Sequence, residues 1–94
     1  MKLNFEWDDE KAKENLKNHE VSFDESATVF SDLYSIPIPD PDHSTDEDRY
    51  IDIGASEKGR LLVVSYTERG TNIRIISCRK PTPTERRRYE SGNY

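Results

Sequence analysis

The sequence predicts an α+β domain, in which helices pack on one face of an antiparallel β-sheet. Two observations support this class. Three strand-like segments follow one another in the second half of the chain, and connections of a few residues join antiparallel neighbours. Helix-start signals lie on both sides of these segments. A chain of 94 residues has room for one domain, which we place over residues 1–94.

The N-terminal residues predict a strand followed by a helix. The segment from Leu3 to Trp7 alternates apolar and polar residues, which is the period of a half-buried strand. Asp8 then suits the N-cap of a helix that continues to about Asn18. Its apolar face is thin and consists of Ala12 and Leu16, so we expect this helix to pack lightly.

A second helix begins at Ser22. There Ser22 and Glu25 fit a capping box, in which the serine oxygen accepts a backbone N–H and the glutamate bonds back to the cap. Prolines follow and end the helical pattern, although Ile36 and Ile38 can form a short edge strand, where proline is tolerated. The acidic residues 40–48 predict a solvated loop.

The three strand-like segments run from Arg49 to Ile53, from Arg60 to Thr67 and from Asn72 to Arg79. Together they predict a C-terminal meander, to which the N-terminal strand adds. The segment Ile73 to Cys78 is apolar at both parities, which indicates a central strand that is covered on both faces.

A final helix follows the meander. Thr82, Pro83 and Glu85 combine a threonine cap, a proline at the first helical position and a glutamate at the third. Gly92 suits the residue just beyond its C-terminus. The predicted order is therefore one strand, two helices, an edge segment, three strands and a helix.

The two halves of the chain carry opposite charge. Residues 1–48 hold 14 Asp and Glu against 4 Lys, whereas residues 49–94 hold 10 Lys and Arg against 5 acids. A polyanion responds to local potential, so the basic half can hold a phosphate backbone although the net charge is −5. The alternative is an ordinary solvated surface, which is normally rich in Arg and Lys.

Composition excludes several classes of protein. Cys78 is the sole cysteine, which fits a reducing cytosol, and its apolar setting favours a buried residue over a nucleophile. The chain has neither a secretory signal nor a stretch of roughly 20 apolar residues, so we expect a soluble, cytoplasmic protein without a membrane partner. The acidic loop fails the calcium-loop pattern because Thr45 and Ile51 replace the required glycine and glutamate. We expect no metal and no cofactor.

Basic and aromatic residues of the second half suggest RNA recognition. Cations hold a scissile phosphate, and rings stack on unpaired bases. If Arg and Lys stabilise the transition state, the 2′-hydroxyl can attack once a base such as Glu68 removes its proton, without a metal ion. The set consists of Arg49, Arg60, Arg69, Arg74, Arg79, Lys80 and Arg86 to Arg88, with Trp7, Tyr50, Tyr66 and Tyr89 as aromatic candidates.

Short motifs in a fixed order point to a family. They include Phe5-Glu6-Trp7-Asp8, Val21-Ser22-Phe23-Asp24-Glu25, Pro39-Asp40-Pro41-Asp42-His43-Ser44, Tyr66-Thr67-Glu68-Arg69 and Ile73-Arg74-Ile75-Ile76-Ser77. In this order they resemble the BrnT family of type II toxin-antitoxin systems, over nearly the whole chain. The resemblance implies a RelE-like fold and an endoribonuclease that arrests growth. It also implies a BrnA-type antitoxin that represses the operon, so that the toxin meets DNA only through its partner.

The resemblance also implies site residues. Arg79 matches an arginine at the end of the last strand, a position that RelE-like enzymes use on the phosphate, and we expect it to be catalytic. Arg69 and Glu68 match a hairpin motif and become a second phosphate ligand and a candidate base, with a plain salt pair as the alternative. The expected RNA-binding residues are Lys80, Arg49, Arg74, Tyr66 and Trp7, the last with a place in the core as its alternative.

Three further points stay open in the sequence. The family usually has glycine where this chain has Glu20, so the first helix is expected to end differently here. A non-catalytic module that binds protein or RNA, such as an inactive toxin remnant, is the competing function. A dimer or a hetero-oligomer is compatible with either.

Overall fold

The computed structural model describes residues 3–40 and 47–92. Within these residues, one sheet has the strand order β1-β5-β4-β3-β2. The strands are β1 (Asn4–Glu6), β2 (Ile36–Pro39), β3 (Arg49–Ala55), β4 (Leu61–Arg69) and β5 (Asn72–Arg79). The helices are α1 (Asp9–His19), α2 (Phe23–Thr28) and α3 (Pro83–Glu90), and a 3₁₀ turn (Val29–Ser31) follows α2. The predicted α+β class and the C-terminal meander are confirmed.

The sheet is mixed, and the prediction of a fully antiparallel sheet is wrong. Strands β2 to β5 pair antiparallel, but β1 pairs parallel with β5, with Phe5 opposite Ile73. Tight hairpins fix the directions of β3, β4 and β5, whereas β1 leads into α1 and no short turn sets its direction. Strand β5 lies inside the sheet between β1 and β4, and the middle strand is β4, whose residues Leu61 to Val64 are all buried.

Alternation along β4 divides the core into two clusters. Leu62 and Val64 lie in the cluster under α1 and α2, while Leu61 and Val63 lie in a second cluster on the other side of the sheet. Tyr89 of α3 packs against that second cluster. The helices therefore cover both faces, and the expectation of one helical face is wrong. We call the two sides the α1/α2 face and the α3 face.

The helix starts follow the predicted caps, with one exception. The Asp8 carboxylate accepts from two backbone N–H groups of α1, and Thr82 and Glu85 form a complete capping box at α3. Ser22 Oγ accepts from the backbone N of Glu25 at 3.1 Å. The Glu25 carboxylate does not return to the cap, so that half of the predicted box is wrong.

Instead, Glu25 holds the β3–β4 hairpin. Its side chain is 2% exposed and accepts from Arg60 Nε at 2.7 Å, Arg60 Nη2 at 2.6 Å and Ser56 Oγ at 2.7 Å. The hydrogen bonds from Arg60 lower the pKa of Glu25 to about 2. A buried ion pair of this kind requires that its remaining hydrogen bonds be made, and Ser56 supplies one of them. The network ties α2 to the sheet.

Asn15 turns inward from α1 where Leu16 was expected. Asn15 is buried, its Nδ2 donates to the Val21 carbonyl at 2.9 Å, and its Oδ1 accepts from the Cys78 backbone N at 2.9 Å. Leu16 is 53% exposed. Cys78 is buried, as its apolar setting predicted, and burial raises the pKa of its thiol to about 11.

The first helix ends at Glu20 in the same way as a helix that ends at glycine. Glu20 adopts the left-handed conformation with φ 59°, and its N–H donates to the Leu16 carbonyl at 3.0 Å. The expected change of helix end is therefore absent, and the side chain tolerates a backbone conformation that costs about 1 kcal/mol relative to glycine.

The edge strand β2 carries its prolines on the open side. The backbone N of Asp40 donates to the Arg49 carbonyl at 2.9 Å, so even-numbered residues direct their N–H groups at β3. Pro37 and Pro39 consequently occupy the outward positions, where a strand has no bond to lose. The predicted edge strand is confirmed.

Candidate nucleic-acid interface

Three arginines share the α3 face at one end of the sheet. Arg49 pairs with Thr67, and Thr67 pairs with Arg74, so their Cα atoms form one line across three strands. Neighbouring strands lie about 4.8 Å apart, which places Arg49 roughly 10 Å from Arg74. Arg69 lies two residues beyond Thr67 and therefore on the same face. We call Arg49, Arg69 and Arg74 the arginine row.

Surface carboxylates accompany two members of this row. Arg74 Nη1 lies 2.7 Å from Glu6 Oε2, and Arg69 Nη2 lies 3.4 Å from Glu47. Hydrogen bonds from Asn72 and then from Arg74 lower the pKa of Glu6. Exposed pairs of this kind are weak, so an RNA phosphate can compete with either carboxylate.

Arg79 lies at the other end of β5, opposite Val63 and also on the α3 face. Its Nη1 donates to Glu85 Oε1 at 2.7 Å and to the Lys80 carbonyl at 3.2 Å, and its Nη2 donates to Glu85 Oε2 at 2.9 Å. The hydrogen bonds from Arg79 lower the pKa of Glu85 to about 2. The guanidinium is therefore fixed in orientation by the first turn of α3.

The bonds to Glu85 leave one edge of the Arg79 guanidinium open. A guanidinium has five N–H groups in a planar fork. Glu85 and the Lys80 carbonyl use both groups of Nη1 and one of Nη2, and no residue in the described ranges accepts from the others. The Nε–H and the second Nη2–H point along the same edge, which is the arrangement that binds phosphate through two parallel hydrogen bonds. The Arg79 side chain is 40% exposed.

Sequence reasoning identified Glu85 as a cap and missed its second role. The same carboxylate that closes the capping box with Thr82 also orients Arg79. The Tyr89 hydroxyl donates to Asp32 Oδ2 at 2.6 Å and holds the far end of α3. The available signal was a glutamate six residues after a strand-end arginine, which by itself does not distinguish a cap from a partner of Arg79.

The structure does not bring the three predicted catalytic residues together. Arg69 lies six positions along β4 from Val63, the partner of Arg79, which corresponds to about 20 Å at roughly 3.3 Å per residue. Glu68 is one residue closer but alternates to the opposite face of the strand. Arg79 and the Glu68–Arg69 pair therefore belong to separate ends of the sheet.

Tyr66 and Trp7, the two aromatic residues that were expected to bind RNA, pack in the core on the α1/α2 face. Tyr66 is 8% exposed and its ring lies between Tyr50 at 5.6 Å and Phe30 at 4.9 Å. Burial raises the pKa of Tyr66 to about 12. Trp7 packs edge-on against Phe23 at 5.8 Å. Neither ring lies beside the arginines, because the sheet separates them.

Lys80 is exposed in the connection between β5 and α3, next to Arg79.

His43 and most of the acidic loop that was compared with a calcium-binding pattern lie outside the described residues. Within residues 3–40 and 47–92, no cluster of three or more His, Cys, Asp or Glu side chains has the arrangement of a metal site. None of the helices in those ranges has the length and apolar character of a membrane span.

Comparison with known proteins identifies the family. A model of the ribonuclease toxin BrnT of type II toxin-antitoxin systems matches residues 7–85. The chain belongs to the BrnT family. The predicted resemblance is thereby confirmed, and membership implies an RNA substrate and an antitoxin partner.

A solved structure supports the BrnT assignment at the level of the fold. The crystal structure of the ribonuclease toxin BrnT from Brucella abortus is 21% identical, has a TM-score of 0.66, and aligns over 86% of this chain and 99% of that one. No curated protein matches significantly. The Brucella toxin is therefore similar to this chain in fold.

Proposed function

We propose that this BrnT-family protein is an active endoribonuclease that cleaves RNA in the cytoplasm and arrests growth. Its fold is proposed to be RelE-like, and a BrnA-type antitoxin is proposed to neutralise it by covering the α3 face. DNA is then reached only through the antitoxin. The observation that carries the proposal is the open edge of Arg79, which offers two oriented N–H groups to a phosphate.

The proposed chemistry needs no metal ion. A base takes the proton of the 2′-hydroxyl, and the 2′-oxygen attacks the adjacent phosphorus. The bond from phosphorus to the 5′-oxygen breaks and the 5′-oxygen takes up a proton from water, so the products end in a 2′,3′-cyclic phosphate and a 5′-hydroxyl. Charge develops on the phosphoryl oxygens during this step, and Arg79 stabilises it with donors that Glu85 has already oriented. The arginine row is proposed to hold the RNA strand farther along the sheet.

Glu68 and Arg69 remain proposals for a base and a second phosphate ligand. Because they lie about 17–20 Å from Arg79 along β4, they can take these roles only if the cleaved phosphate lies at the hairpin end, and not for a phosphate held by Arg79. Variants at each position separate the two ends. If Glu68→Gln abolishes cleavage and Arg79→Ala does not, the reaction centre is at the hairpin end.

The decisive experiment measures RNA cleavage by the purified protein in the presence of a chelator. Arg79→Ala is expected to lower the rate about 100- to 1000-fold, since loss of one preorganised donor group costs roughly 3–4 kcal/mol. Lys13→Ala removes the same charge from the exposed surface of α1, on the opposite face of the sheet, and serves as the matched control. A substrate with a 2′-deoxyribose at the cleaved position is expected to resist the enzyme. Wild-type protein that leaves RNA intact would refute the proposal.

A second candidate function is a non-catalytic binding module. Its supporting observation is that Arg79, Arg74 and Arg69 all have carboxylate partners in this structure, which reduces the net charge of the face. Two results together favour this module. The wild-type protein cleaves no RNA, and Arg79→Ala binds RNA or the antitoxin with the affinity of the wild type. A dimer or a hetero-oligomer is proposed in either case, and light scattering with and without antitoxin measures the oligomeric state.

A further inference from the structure

We propose that a cleft beside Arg79 is a second phosphate subsite for the RNA backbone. The cleft has a volume of about 440 Å³ and lies between the β3–β4 turn and the start of α3. This inference rests on the proposed ribonuclease function and adds a site for the phosphate next to the one that is cut. We call it the end cleft; its lining consists of Gly59, Arg60, Leu61, Lys80, Pro81 and Arg86.

The charge of its lining distinguishes the end cleft from other concave sites. Three of its lining residues are cationic, and no carboxylate lines it. Three other clefts within the described residues each include an acid: Asp32 and Glu57 in one, Glu14 in a second and Asp24 in a third. A concave site lined by one sign of charge concentrates counter-ions, and here the favoured ion is an anion.

The cations of the end cleft have N–H groups to offer. Arg86 is 53% exposed, and its nearest carboxylate, on Glu90, is 3.9 Å away. Lys80 is exposed and forms no ion pair with any residue of the described ranges. Glu25 and the Glu20 carbonyl bind Arg60 through Nε and Nη2, which leaves Nη1 without an acceptor in the same ranges.

The position of the end cleft fits a strand of RNA that passes over Arg79. Lys80 directly follows Arg79, and Arg86 directly follows Glu85, the residue that orients Arg79. The two sites are thus connected through the same turn. A diester on the open edge of Arg79 places its neighbouring phosphate toward Lys80 and Arg86, where point charges suffice for binding.

The test compares two double variants of the full chain for binding to an RNA oligonucleotide made resistant by 2′-O-methyl groups. Lys80→Ala with Arg86→Ala removes two cations of the end cleft. Lys13→Ala with Lys17→Ala removes the same charge from exposed positions of α1, on the opposite face of the sheet. Arg60 is left intact because it also supports Glu25.

The readout is the slope of log affinity against log salt concentration. The slope is negative, and loss of one phosphate contact on a single strand reduces its magnitude by about 0.7. We expect that reduction in the cleft variant and not in the control variant. Equal effects of the two variants on slope and affinity would overturn the subsite. Loss of antitoxin binding with unchanged RNA binding would also overturn it, and would make the cleft a protein-docking surface.

Failure of the proposed function gives a different result. If wild-type protein cleaves no RNA but the cleft variant alone shows the weaker salt dependence, the subsite stands and the enzymatic proposal fails. If the wild type cleaves RNA and both variants bind alike, the enzyme stands and the subsite fails. Unfolding in urea checks that both double variants fold as the wild type does.

Discussion

The buried carboxylate of Glu25 offers a sharp test of how the small core is held together. It accepts three hydrogen bonds from Arg60 and Ser56, and it joins α2 to a hairpin more than 30 residues away. Glu25→Gln keeps the shape of the side chain and removes its charge. The arginine then loses its counter-charge.

The magnitude of the effect follows from the pKa. Folding lowers the pKa of Glu25 from 4.5 to about 2. Each pKa unit corresponds to about 1.36 kcal/mol, which gives roughly 3 kcal/mol in favour of the ionised, folded state. The Arg60 side chain is 37% exposed. Water therefore screens part of the interaction, and we expect Glu25→Gln to lower the free energy of unfolding by about 1–2 kcal/mol.

The same substitution has a defined pH dependence. The folded pKa of Glu25 lies below its unfolded value, so the contribution is complete above the unfolded pKa of 4.5 and is lost as the pH falls toward about 2. Glutamine does not titrate. The difference in stability between wild type and Glu25→Gln is therefore expected to be constant near neutral pH and to shrink across that acidic window.

Urea unfolding with linear extrapolation measures this difference near neutral pH and again at about pH 3. Glu57→Gln is the matched control, because Glu57 lies in the β3–β4 turn with an exposed side chain. The reasoning is refuted if Glu25→Gln costs no more than Glu57→Gln, or if its cost stays the same in acid.

Three other substitutions test separate features of the fold. Asp52 is buried with an Oδ1 that has no hydrogen-bond partner among the described residues, and burial raises its pKa to about 6. Its ionisation opposes folding as the pH rises from 3.8 through about 6. Asp52→Asn should therefore stabilise the protein by about 1 kcal/mol at neutral pH, which raises the melting temperature by about 4–8 °C. The same substitution should have little effect near pH 4. Asn15→Ala should cost about 2–4 kcal/mol in urea unfolding because it leaves two buried backbone groups unsatisfied, whereas the exposed Asn18→Ala should cost under about 0.5. Gly54→Ala brings a new Cβ within 2.9 Å of Ser35 Cβ, and a loss of about 1–3 kcal/mol is expected; unchanged stability would show that β3 moves to make room.

Structural features that depend on residues a few positions apart could be predicted from the sequence. The caps at Asp8 and Thr82 depend on residues two or three positions away, and both are confirmed. The partner of Glu25 lies in the β3–β4 hairpin, and no local pattern indicates it. The direction of β1 escaped prediction for the same reason, because its neighbour β5 is distant in the chain.

The candidate nucleic-acid interface could likewise be predicted only where it depends on local sequence. The position of Arg79 at the end of β5 follows from the strand pattern, and the structure confirms that position. Its orientation by Glu85 depends on how α3 packs. Tyr66 was expected at the RNA because aromatic rings bind bases, but consecutive apolar residues on a central strand do not show which face each ring occupies. Register alone decides that Tyr66 lies in the core.

The outward prolines of β2 limit how copies of this protein can aggregate. Endless edge-to-edge association of sheets requires two receptive edges, and the Pro37 and Pro39 positions have no N–H group to donate to an incoming strand. Strand addition is then confined to β1 on the opposite edge. Two copies joined through β1 expose β2 at both outer edges, so such growth closes at a symmetric pair and cannot continue into a fibre.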